Sequence, residues 1–229
     1  EKIEKMAAPV VQDIDDRMYS NKTLYPVLEP VPATITVATL TGIIDYTVSN
    51  FDGLKLLELT MHVKGHDQVD MFSKLIDPFE QRKTYIKAVA MTPQILFNQP
   101  LNIESFIIQL QSMFVKTPER DSLLKFLGNL KAGFSKTMSD NGISQTVTAK
   151  TGITMVGEVE VPNPIKLQPY RTFAEIEQPE SDFVFRIHGG EDEPTCALYE
   201  ADGGAWKLTA IKRIAEWIKF ALPDMVIIA

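Results

Sequence analysis

Between residues 182 and 188 the side chains alternate: Phe183, Phe185 and Ile187 fall on one side of an extended chain, and Asp182, Val184, Arg186 and His188 on the other. Successive strand side chains point to opposite faces, so this period of two predicts a half-buried strand rather than a helix. Upstream lies Gln178-Pro179-Glu180-Ser181, a turn-forming cluster whose proline cannot donate to a ladder. Downstream, Gly189-Gly190 and Glu191-Asp192-Glu193-Pro194 form a second polar connection into an extended run at 195–200. The stretch 170–206 therefore reads as a three-stranded meander with one apolar face, and the rest of the chain must cover that face.

The same stretch holds the charge imbalance. Between residues 170 and 205 there are nine acids against Arg171 and Arg186, which accounts for the whole formal charge of -7. A surface of this sign repels phosphate backbones, so direct nucleic-acid binding is not expected. It suits a basic protein partner, and the candidate interaction surface comprises Glu175, Glu177, Asp182, Arg186, Glu191, Asp192 and Glu193. The alternative is that these carboxylates simply solvate turns and the outer face of a sheet.

The remaining chain reads as a mixture of helices and strands. Residues 1–18 place Ile3, Met6, Ala7, Val10, Val11 and Ile14 at helical spacing, which predicts an amphipathic helix ending in the solvated cluster Asp13, Asp15 and Asp16. Pro26, Pro30 and Pro32 exclude a helix in the next segment. A short strand is expected at 33–38, then a helix capped by Thr39 or Thr41 whose apolar face holds Ile43, Ile44, Thr47, Val48 and Phe51. Residues 54–64 and 84–91 read as strands, and 69–76 as a strand or a short helix. The clearest helix spans 102–114, with Asn102 as cap. A second follows from Thr117 and Pro118 to Gly133 with Leu123, Leu124, Leu127 and Leu130 as its stripe, and the short link between them predicts an antiparallel pair. From Phe134 the pattern turns to strands around the turn signal Asp140-Asn141-Gly142, and Leu208, Ile211, Ile214, Ala215, Ile218 and Leu222 mark a C-terminal amphipathic helix stopped by Pro223. The expected class is α+β: a mixed region with a helix pair over 1–133, and a β-rich region with a C-terminal helix over 134–229, the two either separate or continuous. A chain of 229 residues accommodates either arrangement.

Motif chemistry is sparse. There is no phosphate loop, dinucleotide glycine fingerprint, nucleophile elbow or zinc-protease signature. The three histidines and single Cys196 leave few parts for metal or nucleophilic schemes, and no cofactor is expected. His62, His66, Asp67 and Asp70 are close in sequence, but His62 and His66 straddle a strand exit at Gly65 and read as ordinary strand-end residues. Cys196 reads as a small buried strand residue. The one enzymatic option is carboxylate chemistry, in which Glu158 with Glu160 and Glu175 with Glu177 project from neighbouring strands to bind a divalent metal or act as acid and base. No apolar run approaches the roughly 20 residues that cross a bilayer. The opening EKIEKMAAPVVQDIDD lacks a basic region followed by an apolar signal core, so an intracellular protein without membrane contact is expected. Because the sequence starts at Glu1 rather than Met, residues upstream are expected in the natural chain.

Tyr170-Arg171-Thr172-Phe173, Glu175-Ile-Glu-Gln-Pro, Phe183-Val-Phe-Arg and the run from Ala197 to Trp206 resemble a bacteriophage and prophage family, the YfdQ-like proteins, whose function is not established. The resemblance covers roughly residues 139–207. It departs at the C-terminus, where the helix over 210–222 is additional, and it transfers no catalytic residue. It implies a phage-encoded viral protein of the bacterial host cytoplasm, concerned with host defence or DNA metabolism. The leading expectation is a non-enzymatic, oligomeric protein working through protein–protein interaction. The alternatives are a virion structural or assembly protein and the metal-dependent enzyme outlined above.

Overall fold

Where the chain must turn, its sequence supplies the residues that turn. In the computed structural model, which describes residues 11–20, 33–76, 81–140, 145–151, 154–160, 163–189 and 194–229, Asp15 and Asp16 both take positive φ, 52° and 58°. They close an antiparallel hairpin of β1 (Val11–Ile14) and β2 (Arg17–Ser20). The helix expected over 1–18 is thus corrected across its second half: aspartate tolerates the left-handed turn, and the exposed strands bury no helical face. The first ten residues lie outside the described ones, as do the prolines at 26, 30 and 32.

Next come β3 (Ile35–Val37), α1 (Leu40–Ser49), β4 (Leu59–Val63), β5 (Gln68–Ser73) and β6 (Thr84–Val89). Thr39 caps α1, its hydroxyl accepting from the Gly42 N–H at 3.0 Å. The C-terminus of α1 closes on Asn50 in the left-handed region. The strand expected from residue 54 begins later, because a short 3-10 turn over Leu56–Glu58 precedes it. The ambiguous segment near 69 is the strand β5. It alternates buried Val69, Met71 and Ser73 with half-buried Gln68, Asp70 and Phe72, so one face is covered and the other is not.

The second group begins with β7 (Leu101–Asn102), α2 (Ile103–Met113) and α3 (Pro118–Gly133). Asn102 accepts from the Ser105 N–H at 2.8 Å, and the Thr117 hydroxyl from the Arg120 N–H at 3.2 Å, so both predicted caps are in place. Strands β8 (Phe134–Asp140), β9 (Gln145–Thr151) and β10 (Thr154–Glu160) form an antiparallel three-stranded sheet beside α3. Asp140 pairs with Gln145, while the Asn141-Gly142 turn itself lies outside the described residues. Finally come β11 (Ile165–Leu167), β12 (Ser181–His188), β13 (Thr195–Glu200), α4 (Ala205–Ala221) and β14 (Val226–Ile228).

Two larger sheets organise two cores. The order β11-β12-β13-β7 is antiparallel throughout, and its apolar face packs on α2 and α3. Phe183, Phe185 and Ile187 are buried there as their alternation predicts, against Phe106, Leu110, Leu123 and Leu127. The Phe106 and Phe185 rings lie 5.5 Å apart. Cys196 is fully buried in the same core, and burial pushes its thiol up to about 12. The meander differs from expectation in one strand. Its first member is β11, and residues 168–180 form a long connection before β12.

The second large sheet, β14-β4-β5-β6-β3, is mixed: β14 runs parallel to β4 and β3 parallel to β6. Helices α1 and α4 contact each other and cover one face, burying Leu40, Ile43, Ile214 and Ile218 against Met61, Val69, Met71 and Ile86. Phe173 and Ile176, from the long connection, complete that core. Each core therefore contains residues from both sides of position 133. Among the described residues, no helix is long and apolar enough to cross a membrane.

Candidate interaction surface

The connection between β11 and β12 forms no strand or helix, yet Arg171, Thr172, Phe173, Ile176 and Gln178 within it are buried, so the polar groups there need partners. Gln178 supplies four. Its side-chain carbonyl accepts from the N–H groups of Arg171 (3.0 Å) and Thr172 (3.3 Å), and its amide donates to the carbonyls of Phe173 (3.0 Å) and Ile176 (3.4 Å). Held this way, the segment directs Arg171 toward one side and Phe173 into the core beneath α1 and α4.

Arg171 is the centre of a polar cluster joining the two sheets. Its guanidinium lies 3.7 Å from the Trp206 ring centre, donates to Glu200 Oε1 at 2.5 Å, and donates to the Ser181 hydroxyl. Ser181 in turn donates to Asp202 Oδ2 at 2.7 Å, and Asp202 also accepts from the N–H groups of Gly204 (3.0 Å) and Trp206 (3.3 Å) at the start of α4. Desolvation works against the Asp202 carboxylate, but these three hydrogen bonds and the arginine outweigh it and hold the group below its ordinary pKa. Arg171 is drawn down to about 10, chiefly by burial. Arg171 Nε and Trp206 Nε1 are buried without an acceptor among the described residues, and the face-on stacking of cation on indole offsets part of that cost. The His66 ring stands edge-on to Trp206 at 4.7 Å, and its backbone carbonyl accepts from the Thr172 hydroxyl. Burial lowers the His66 pKa; Asp67 opposes this, while Lys207 and Arg171 reinforce it. Every charged member of the cluster faces an intrachain partner, so it works as a joint between the sheets.

The sequence-predicted surface residues are distributed to different partners. Glu175 is half-buried at the N-terminus of α1, where its Oε1 accepts from the Thr41 N–H (3.1 Å) and hydroxyl (3.4 Å). Glu177 is exposed and pairs with Arg213 of α4 at 3.2 Å. Asp182 lies 3.9 Å from Lys166 on the neighbouring strand, and Lys166 also holds Glu180 at 3.2 Å. Arg186 is half-buried on the outward face of β12. Glu191, Asp192 and Glu193 lie outside the described residues. The proposed carboxylate face is corrected for Glu175 and Glu177: they sit in a turn, where no ladder projects them together toward Glu158 and Glu160. His62 and His66 make ring contacts with Phe72 and Trp206 respectively, and no group of three or more potential metal ligands occurs among the described residues.

What periodicity missed is an apolar apron. Phe51 is 82% exposed and Leu57 92%, although Phe51 was expected on the buried stripe of α1. Tyr46, Phe51, Leu54 and Leu56 pack together with Thr47, Asn50, Asp52 and the buried Leu59 and Met71, and Leu56 also lines an open hollow of about 150 Å³ with Leu57, Leu222, Pro223, Asp224 and Met225. Leu56 belongs to both and so links the end of α1 to the end of α4. A further groove of about 520 Å³ runs between α4 and β14, lined by Leu208, Ile211, Ala215, Lys219 and Ile227 among others. Leu208, placed on the apolar stripe by its spacing, is 72% exposed. The signal available in the sequence lies just past the end of α1, where Phe51, Leu54, Leu56 and Leu57 crowd into seven residues around the stop Asp52-Gly53, and on α4, which carries more apolar residues than one buried face accommodates. No protein-family model, curated protein or solved structure matches this chain.

Proposed function

We propose that this chain is a non-enzymatic interaction protein that acts by docking a protein partner. The observation that carries the reading is the apron formed by Phe51, Leu56, Leu57, Leu222 and Pro223, large apolar side chains beside the charged Asp224, set on a helix end and a short turn that the core holds in place. Large apolar side chains gathered in this way, rather than scattered singly, mark interaction surfaces. The described carboxylates at 175, 177 and 182, by contrast, are engaged within the chain. The resemblance over residues 139–207 supports a phage-encoded protein of the bacterial host cytoplasm that modulates host defence or DNA metabolism through such contacts. The test is affinity capture from phage-infected cells with the tagged wild-type chain beside a Phe51→Asp, Leu57→Asp variant. A specific protein should be retained by the first and lost by the second. Equal recovery by both, or recovery of nothing specific, would remove the reading.

A further inference from the structure

Trp206, Ala210, Ile214 and Ile218 face inward from α4, so the opposite side of that helix is the outside of the molecule. Along this outer surface, four residues apart, run Leu208, Lys212, Glu216 and Phe220, all exposed, with Phe220 at 91%. Side chains at this spacing form a continuous ridge on a helix, the kind that packs into the grooves of a second helix. The chemistry of this ridge is apolar, cationic, anionic, apolar. A two-fold axis through its midpoint, level with Ile214, lays a second copy alongside in the opposite direction. Leu208 then lies beside Phe220 of the second copy and Lys212 beside its Glu216, and symmetry repeats both pairs.

Neither charge is already engaged: among the described residues Lys212 and Glu216 form no ion pair, and lysine preceding glutamate by four is the less favourable order within one helix. The groove beside the ridge is lined by Leu208, Ile211, Ala215 and Ile227 together with Lys212, Glu216 and Lys219, and its apolar part offers the Phe220 ring of the second copy a seat. We propose that the outer face of α4 is a two-fold interface with a second copy of this chain. This rests on the reading of the chain as an interaction protein and names one of its partners. A foreign partner would have no reason to match a ridge that is its own complement, whereas an isologous contact requires that property.

The test is the solution mass of the purified full chain by sedimentation velocity over a concentration series. A dimer is expected. Lys212→Glu should set like charges against each other twice and weaken the dimer roughly tenfold or more, and Glu216→Lys should do the same. Combining the two restores opposite charges across the axis, so the double variant should recover the dimer. A monomer throughout would overturn the proposal, as would a dimer indifferent to the single reversals or a double variant no better than either. Because these residues are exposed, circular dichroism separates loss of association from loss of fold. A monomer that still captures a foreign protein would refute this inference alone, and a dimer that captures nothing would refute only the broader reading.

Discussion

At the scale of single residues, Asp202 carries an unusual share of the local hydrogen bonding, accepting from Ser181 and from two N–H groups at the start of α4. Asp202→Ala should cost about 1–2 kcal/mol, because it leaves the Ser181 hydroxyl and two N–H groups without their acceptor, read from urea denaturation followed by tryptophan fluorescence. Trp206, stacked on Arg171, makes that signal sensitive to this site. His66 sets a pH dependence of definite sign. Its folded pKa lies below the unfolded value of about 6.5, so the unfolded state takes up the proton first. The stability it supports is complete above that value and declines as pH falls from there through the folded pKa. Thermal melts at pH 7.5 and 5 should show a smaller loss in His66→Gln than in the wild type. Asp202-Gly203-Gly204 is readable from the chain alone as the break that ends the strand region. The stacking of Arg171 on Trp206 is not, because 35 residues separate groups that only folding brings together.

At the scale of elements, α1 is anchored at its N-terminus by two groups of different origin. Thr39 is local and accepts from Gly42, whereas Glu175 arrives from the connection before β12 and accepts from Thr41. Thr39→Ala should cost about 1 kcal/mol through the lost cap. Glu175→Ala should cost about 0.5–1 kcal/mol through the lost carboxylate at the helix dipole, and increasingly less as salt is raised. The two single variants and the double, compared by urea midpoint at low and high ionic strength, separate these effects; a salt-independent loss at Glu175 would contradict the assignment. Caps at Asn102 and Thr117 were legible, and that of α1 was narrowed to Thr39 or Thr41, because a cap acts over three residues of sequence. The hairpin at residues 11–20 was not, because alternation and helical spacing coincide over so few residues and two left-handed aspartates decided between them.

At the scale of the whole molecule, the C-terminal elements close back on the sheet built by residues from the first half of the chain. Helix α4 and β14 return to the sheet made by residues 35–89, and Ile214 and Ile218 lie in its core. Removing residues 205–229 would uncover Met61, Val69 and Met71, so the truncated chain should lose the fold of its first half as well, visible as collapse of amide dispersion in an NMR spectrum. Retention of well-dispersed signals would show that α1 alone suffices to cover that face. An α+β class, the helix pair, the alternation of β12 and the existence of a C-terminal helix all followed from the sequence, because propensity, capping and periodicity act between near neighbours. Which sheet β14 joins, that β11 rather than residues 170–177 begins the meander, and which apolar side chains stay outside were decided only by tertiary structure. Periodicity shows that an element has a face to bury, but long-range pairing selects what covers it. On α4 the supply of apolar residues exceeds what the core takes, leaving Leu208 and Phe220 outside, and just past α1 Phe51, Leu56 and Leu57 are left on the surface in the same way.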